Sequence, residues 1–309
     1  MKKRIIVTHK APDLDAITSA WIIKRFLPGW EIAEIKTVPA GTKLLGKYIR
    51  QGEAVETVDD AEVIHTDTGM GPLDHHQTQD DGICATSLAF DYVLKHENEN
   101  GLNTSKPKRE ALQRIVKYVI DDDHFQEVFY QNPTLDVYDF SIVGLIHGIK
   151  LLYPKDDTTT INFGMELLDA ALHEFESKVH AEKELKENGI KFHTRWGEGV
   201  AVETGNDAVL KLAQTLGYAL SVRKDPETSS IRIKTRPARR QGKDFPEGVF
   251  EHVDIDLTPV YEKLKKLDPE ATWYLHVSKR MLLNGSSKNP TMQGTKLTLS
   301  EVVEVLQNV

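Results

Sequence analysis

Residues 61–76 read AEVIHTDTGMGPLDHH: a short apolar run delivers Asp67 to its end, a glycine-bearing turn follows, and Asp74, His75 and His76 then stand side by side. A strand over residues 61–64 must end in turn residues, and Gly69, Gly71 and Pro72 supply the turn, so backbone geometry alone accounts for them. It does not account for Asp-His-His. Two histidines after an aspartate, standing alone, are commonly a solvated loop. Here a second short β-branched run, residues 3–7 (KRIIV), ends in Thr8 and His9 and is followed by Pro12, Asp13, Leu14 and Asp15. Two strand ends that each carry His and Asp predict one site at the carboxyl edge of a parallel sheet, where α/β folds place their chemistry.

The chain has 309 residues, 39% of them apolar and 28% charged, enough for two ordinary domains with separate cores. No window approaches eighteen consecutive apolar residues, and the apolar run in MKKRIIVTHK is too short for a signal peptide, so a soluble, cytoplasmic protein that does not engage membranes is expected. The single cysteine, Cys84, rules out an internal disulfide framework and suits a packing role. A net charge of −8 argues against a broad surface for long duplex nucleic acid. Residues 223–240 nevertheless hold seven Lys or Arg against two acids, among them Arg232, Lys234, Arg236, Arg239 and Arg240. Acids in one half and this basic cluster in the other suit a small anionic substrate.

Outward from the first strand, residues 15–26 have helical apolar spacing, with Asp13 or Asp15 near the start and Pro28-Gly29 as the stop. Residues 31–38 alternate as a strand, 42–50 read as a short helix, 86–95 as a helix, and 96–108 as an exposed polar loop. Such alternation predicts an α/β domain, a parallel sheet with helices on both faces. In residues 109–123 the stripe Leu112, Ile115, Val116, Val119 and Ile120 continues to Asp123, whereas Asp121 and Asp122 fall off it; Asp123 is therefore the favoured site acid, with Asp121 the alternative. A long amphipathic helix then turns wholly polar before Asn188-Gly189. The expected organisation is a catalytic domain at 1–160, a connecting helix at 161–188 and a smaller α+β C-terminal domain at 189–309. In the last, 218–224 and 230–235 flank Asp225-Pro226-Glu227 as a hairpin, 206–216, 256–267 and 301–307 read as helices, and 190–194, 199–203 and 273–277 as strands.

His9, Asp13, Asp15, Asp67, His75 and Asp123 together offer two imidazoles and four carboxylates. That set is enough for two hard divalent ions sharing one carboxylate, with mixed N/O ligation suiting Mn²⁺ best and Mg²⁺ or Zn²⁺ as alternatives. Two such ions about 3.5–4 Å apart stabilise the attacking and leaving oxygens of a phosphoryl centre. His76 would then donate to the phosphate or its leaving oxygen, and Asp74 would fix an imidazole.

These stretches resemble a known family. HKAPDLDAITSAW is similar to the first motif of the DHH phosphoesterase superfamily, TDTG to the second, and Asp74-His75-His76 to the third, which names it; the acid after the apolar helix stands for the fourth. The resemblance covers residues 3–123. It implies a two-metal, manganese-type phosphoesterase with its site between two domains, His9, Asp13, Asp15, Asp67, His75 and Asp123 as ligands, Asp67 as the bridge and His76 acting on substrate. The 218–236 hairpin is similar to one in the substrate domain of RecJ-like and oligoribonuclease-like members, although that domain's Gly-Gly-Gly-His signature is absent. His276 followed by Asn284-Gly285-Ser286, and Gln77 after the two histidines, resemble the Myg-type exonuclease branch.

The expected function is hydrolysis of a phosphodiester or phosphomonoester of a short oligonucleotide or small nucleotide. A basic hairpin with few aromatics offers charge clamps rather than stacking platforms. Arg236, His276 and a phosphate-cradling turn at Asn284, Gly285, Ser286 and Ser287 are the substrate contacts expected. The alternatives are a manganese-dependent inorganic pyrophosphatase, for which residues 221–224 (SVRK) are only a loose counterpart of the basic cluster required, and a catalytically silent regulator that binds nucleotide or metal.

Overall fold

The computed structural model describes residues 2–100, 106–237, 255–286 and 288–309. The chain divides into two compact units, Met1–Glu176 and Ser177–Val309. Arg239, Arg240, Ser287 and the centre of the expected 96–108 loop lie outside the described residues. Among the described residues no helix is long and apolar enough to cross a membrane.

The first unit is built on a five-stranded mixed sheet. Strand β1 (Lys3–His9) pairs in parallel with β2 (Glu34–Val38) on one side and with β5 (Ala61–His65) on the other. Strands β3 (Tyr48–Arg50) and β4 (Glu56–Val58) extend it antiparallel, in the order β2-β1-β5-β4-β3. The sheet is thus only partly parallel. The helix expected over 42–50 does not form: Gly41 and Gly46 take φ of 70° and 155°, and β3 occupies its end.

Alternation along β1 sends its side chains to two different cores. Ile6 and Ile64 face a cluster with α1 (Leu14–Phe26), α2 (Ala85–Asn100), α3 (Lys106–Asp123), α4 (Ile142–Leu152) and the first part of α5 (Asp157–Asn188). Ile5, Val7 and Val63 face the other way, against Val38, Val58, Ala61, Leu44 and Tyr48, and this cluster holds no helical residue among those described. Helices therefore cover one face of the sheet rather than both; a folded-over loop covers the other. Trp21 of α1 is wholly buried, and its Nε1 donates to Asp169 of α5 at 2.8 Å. Full burial of such side chains is worth about 1.5–3 kcal/mol each.

Helix α1 starts because Asp13 caps it, accepting from the Ala16 N–H at 3.0 Å, and ends where Leu27 turns extended before Pro28. Helix α2 runs on to Asn100 and α3 begins at Lys106, so the 96–108 stretch contains helix at both ends. Helix α4, absent from the expected elements, is capped by Ser141. The connecting helix begins at Asp157, and the division between the units falls inside it.

The second unit carries a six-stranded sheet in the order β10-β11-β9-β8-β7-β6: β6 (Ile190–Thr194), β7 (Gly197–Glu203), β8 (Leu220–Lys224), β9 (Ile231–Thr235), β10 (Tyr274–Leu275) and β11 (Met281–Leu283). Only β7 and β8 pair in parallel, joined through α6 (Ala208–Thr215). Strands β8 and β9 form the expected hairpin; Asp225 accepts from the N–H groups of Glu227 at 2.9 Å and Thr228 at 3.2 Å to close its turn. Helices α7 (Thr258–Leu267) and α8 (Leu299–Gln307) pack on Leu220, Val222, Ile231 and Ile233.

Candidate metal centre

The register of β1 and β5 sets Val7 opposite His65. Two residues further along each strand direction, His9 and Asp67 therefore arrive side by side at the carboxyl edge of the parallel pair. His9 Nε2 lies 3.1 Å from Asp67 Oδ2 and 3.5 Å from Asp13 Oδ2. The other oxygen of Asp67, Oδ1, lies 3.4 Å from His75 Nε2. That nitrogen is also 3.7 Å from Asp15 Oδ2 and 3.6 Å from Asp123 Oδ2. All six residues expected as ligands converge, and Asp67 faces the two histidines with different oxygens. Donor atoms held at about 2.1 Å around one ion sit roughly 3.0–3.4 Å apart, close to these separations.

The turn that carries Asp67 is held in an uncommon backbone conformation. Asp67 and Met70 have φ of 55° and 54°, the left-handed region that costs a residue with a Cβ about 1–2 kcal/mol. Asp74 compensates from below: its carboxylate accepts from Met70 N–H at 2.7 Å, from His76 N–H at 3.1 Å and from His76 Nδ1–H at 2.7 Å. Gly69, at φ 82°, backs onto the His65 ring, where a Cβ would stand 3.3 Å from ring carbons. His65 is itself buried, accepting from the Leu44 N–H at 3.0 Å and lying 3.0 Å from Glu56, which Lys43 pairs at 2.7 Å. Burial pushes the His65 pKa down.

Asp15 is used twice over. Its two oxygens accept from the Ala85 N–H at 2.8 Å and the Thr86 N–H at 2.7 Å, so it also anchors the N-terminus of α2. At the end of α3, it is Asp123 rather than Asp121 that reaches the cluster. His124, which the sequence reading missed, sits beside it: its Nε2 donates to the Ile83 carbonyl at 2.9 Å, and its ring stands edge-on to His75 with centroids 6.2 Å apart. The only sequence signal for it is its place directly after the acid.

No protein-family model and no curated protein matches the chain.

The electrostatics show a pocket short of positive charge. Burial opposes a charge on His9, but hydrogen bonds to Asp13 and Asp67 lift its pKa to about 11. The Asp67 carboxylate, 3.4 Å from its Nε2, raises His75 to about 9 against the effect of burial. Burial and then the Asp67 charge push Asp15 up to about 7, and burial raises Asp123 as well. Burial works against the Asp13 charge, but the His9 hydrogen bond wins and lowers its pKa. The acids thus favour positive charge at both imidazoles, the charge that bound cations would supply. Asp67 Oδ1, His75 Nε2 and Asp123 Oδ2 are buried without a hydrogen-bond partner, a set of orphaned atoms converging on one point. Three groupings in this cluster, Asp67-His75-His76, His75-Asp123-His124 and His9-Asp13-Asp67, are compact enough to hold a metal ion. The residues present therefore fit bound cations.

The remaining expected contacts lie in the second unit. Arg236 follows β9, its N–H donating to the Ala219 carbonyl at 2.9 Å. His276 opens the turn between β10 and β11, with Nδ1 taken up locally by Ser278 at 2.8 Å. Asn284 is wholly buried: its N–H donates to the Ile231 carbonyl at 3.1 Å and its side-chain oxygen accepts from the Ile231 N–H at 2.6 Å. Gly285 packs against Ser230, and Ser286 bridges to Asn289. Asn284 thus ties the end of β11 to β9 through its main-chain N–H and side-chain oxygen, while its Nδ2 is buried without a hydrogen-bond partner.

Proposed function

We propose that the first unit is a two-metal phosphoesterase domain of the DHH kind, hydrolysing a phosphodiester or phosphomonoester of a short oligonucleotide or small nucleotide. One observation carries this reading: Asp67 turns one carboxylate oxygen to His9 and the other to His75, each within a further set of acids. A pair of Mn²⁺ ions held by His9, Asp13, Asp15, Asp67, His75 and Asp123 would supply Lewis-acid stabilisation of the phosphoryl centre and activation of water. Mixed imidazole and carboxylate donors favour Mn²⁺, with Mg²⁺ or Zn²⁺ as alternatives.

The chain's own residues do the rest. Asp74 holds the Nδ1–H of His76, which fixes the tautomer and leaves Nε2 of this half-exposed ring as its second nitrogen for substrate. From there His76 donates a proton to the leaving oxygen or a hydrogen bond to the phosphate. Asp15 and Asp74, both buried, hold the surrounding backbone rigid so that the ligands need not reorganise.

The test is turnover by the full chain with Mn²⁺ on four substrates: a dinucleotide RNA, 3′-phosphoadenosine 5′-phosphate, cyclic di-AMP and inorganic pyrophosphate. Metal-stimulated release of product from one of the first three is expected. Turnover of pyrophosphate alone would replace this reading with a pyrophosphatase, and metal binding without turnover of any would replace it with a silent binding protein.

A further inference from the structure

The loop between His9 and Asp13 contains a non-glycine residue in the left-handed region, Ala11 at φ 51°. Nothing in the local sequence pays that conformational cost, of about 1–2 kcal/mol. Two side chains more than a hundred residues away grip both ends of this residue. Asp157, the first residue of α5, accepts from the Ala11 N–H at 3.0 Å with Oδ1. Lys150, in the last turn of α4, donates from Nζ to the Ala11 carbonyl at 2.9 Å. The clamp is itself anchored to the sheet, since the second oxygen of Asp157 accepts from Thr37 Oγ1 of β2 at 2.9 Å. Lys10 N–H, one residue earlier, donates to the Val38 carbonyl at 2.8 Å.

The peptide that Asp157 holds has a second use. Its N–H belongs to Ala11 and its C=O to Lys10, and that carbonyl lies 2.8 Å from His9 Nδ1. A carbonyl only accepts, so Nδ1 carries the proton, and Nε2 is the nitrogen turned to Asp67 and Asp13. A carboxylate on the N–H end of a peptide strengthens the acceptor at its C=O end, because hydrogen bonds in a chain polarise one another. Asp157 therefore reaches the His9 ring through one peptide group, and Lys150 holds the next carbonyl in place two residues before Asp13.

We infer that Asp157 and Lys150 are positioning residues which fix His9 and Asp13 by clamping the strained Ala11 main chain. The inference rests on the two-metal reading proposed above. Asp157 plays the part that a carboxylate plays behind a metal-bound histidine, with a peptide interposed, and such supports are typically worth 10–100-fold in metal affinity. Neither residue touches substrate, so the effect is on metal affinity first.

The experiment is a Mn²⁺ titration followed by electron paramagnetic resonance on the wild-type full chain and on Asp157→Ala, Lys150→Met, Ala11→Gly and the double variant Ala11→Gly/Asp157→Ala. Asp157→Ala is expected to weaken one of the two bound ions by about 10–100-fold and leave the other within about threefold. Lys150→Met should do the same to a lesser degree, and it serves in place of Asp157→Ala if that variant does not fold. Glycine adopts positive φ without the Cβ penalty, so Ala11→Gly should restore most of the lost affinity in the double variant. Equal weakening of both ions, no weakening, or no rescue by glycine would overturn the clamp. A wild-type chain that fails to bind two ions would instead overturn the two-metal reading itself, so the two failures are told apart by the wild-type titration.

Discussion

Asp15 and Thr86 are joined twice: the Asp15 carboxylate accepts from the Thr86 N–H at 2.7 Å, and Thr86 Oγ1 donates back to the Asp15 carbonyl at 3.3 Å. With Ala85 on its second oxygen, the same carboxylate that faces His75 also closes the start of α2. An amide in its place has one acceptor for two N–H donors. With Mn²⁺ bound, Asp15→Asn should therefore lose about 1–3 kcal/mol of stability, the cost of leaving one buried N–H without an acceptor, and weaken metal binding together with it. Urea denaturation beside a Mn²⁺ titration checks this; a variant as stable as wild type would show that α2 does not depend on the carboxylate.

His76 and Asp74 should separate chemistry from metal binding. His76→Ala is expected to lower kcat by about 10²–10⁴ while Mn²⁺ affinity stays within a few-fold, because the ring is oriented by Asp74 and stands toward solvent. Asp74→Asn should lower both, since Asp74 also holds the Met70 and His76 main chain and so the turn behind Asp67. Steady-state kinetics over a range of Mn²⁺ concentrations distinguishes the two, and equal loss of metal affinity in both variants would remove His76 from its role.

In the second unit, Asp268 should contribute to acid sensitivity, as a buried carboxyl among several held low. Hydrogen bonds from Thr295 Oγ1 at 2.7 Å and the Lys296 N–H at 2.9 Å outweigh burial and hold this carboxyl below its usual range. A carboxyl whose pKa is lower folded than unfolded adds stability that is fully present above the unfolded value of about 3.9 and fades as pH falls toward the folded one. The stability gap between wild type and Asp268→Asn should accordingly shrink on going from pH 6 to pH 3. Urea midpoints followed through tryptophan fluorescence report it, Trp273 Nε1 donating to the Asp268 carbonyl at 3.0 Å. A gap that is constant over that range would mean the carboxyl's charge contributes nothing.

The residues that converge were legible in the sequence because they sit at strand ends and helix starts, where short-range pattern fixes position. His9 and Asp67 follow two β-branched runs, and one parallel register suffices to bring them together. Asp123 lies on the continued apolar stripe of α3. What the pattern does not carry is contact between distant segments. The 42–50 stretch has Leu44, Leu45 and Tyr48 at helical spacing, yet two glycines at positive φ fold it over the sheet as a cover. The mixed character of the sheet begins at Glu56–Val58, which pairs antiparallel with β5, and β3 extends it. Asn284 reads as a turn residue in an Asn-Gly-Ser string but is drawn inward by the Ile231 main chain. Asp157 and Lys150 carry no motif at all; their partner is a backbone peptide whose strain is invisible until φ is known.

The most direct test of the account is the number of Mn²⁺ ions bound per chain, by isothermal titration on the wild type and on Asp67→Ala. Two ions should bind to the wild type, and at most one, at least about tenfold more weakly, once the carboxylate shared between His9 and His75 is gone. One ion or none in the wild type, or two undiminished ions in Asp67→Ala, would contradict it.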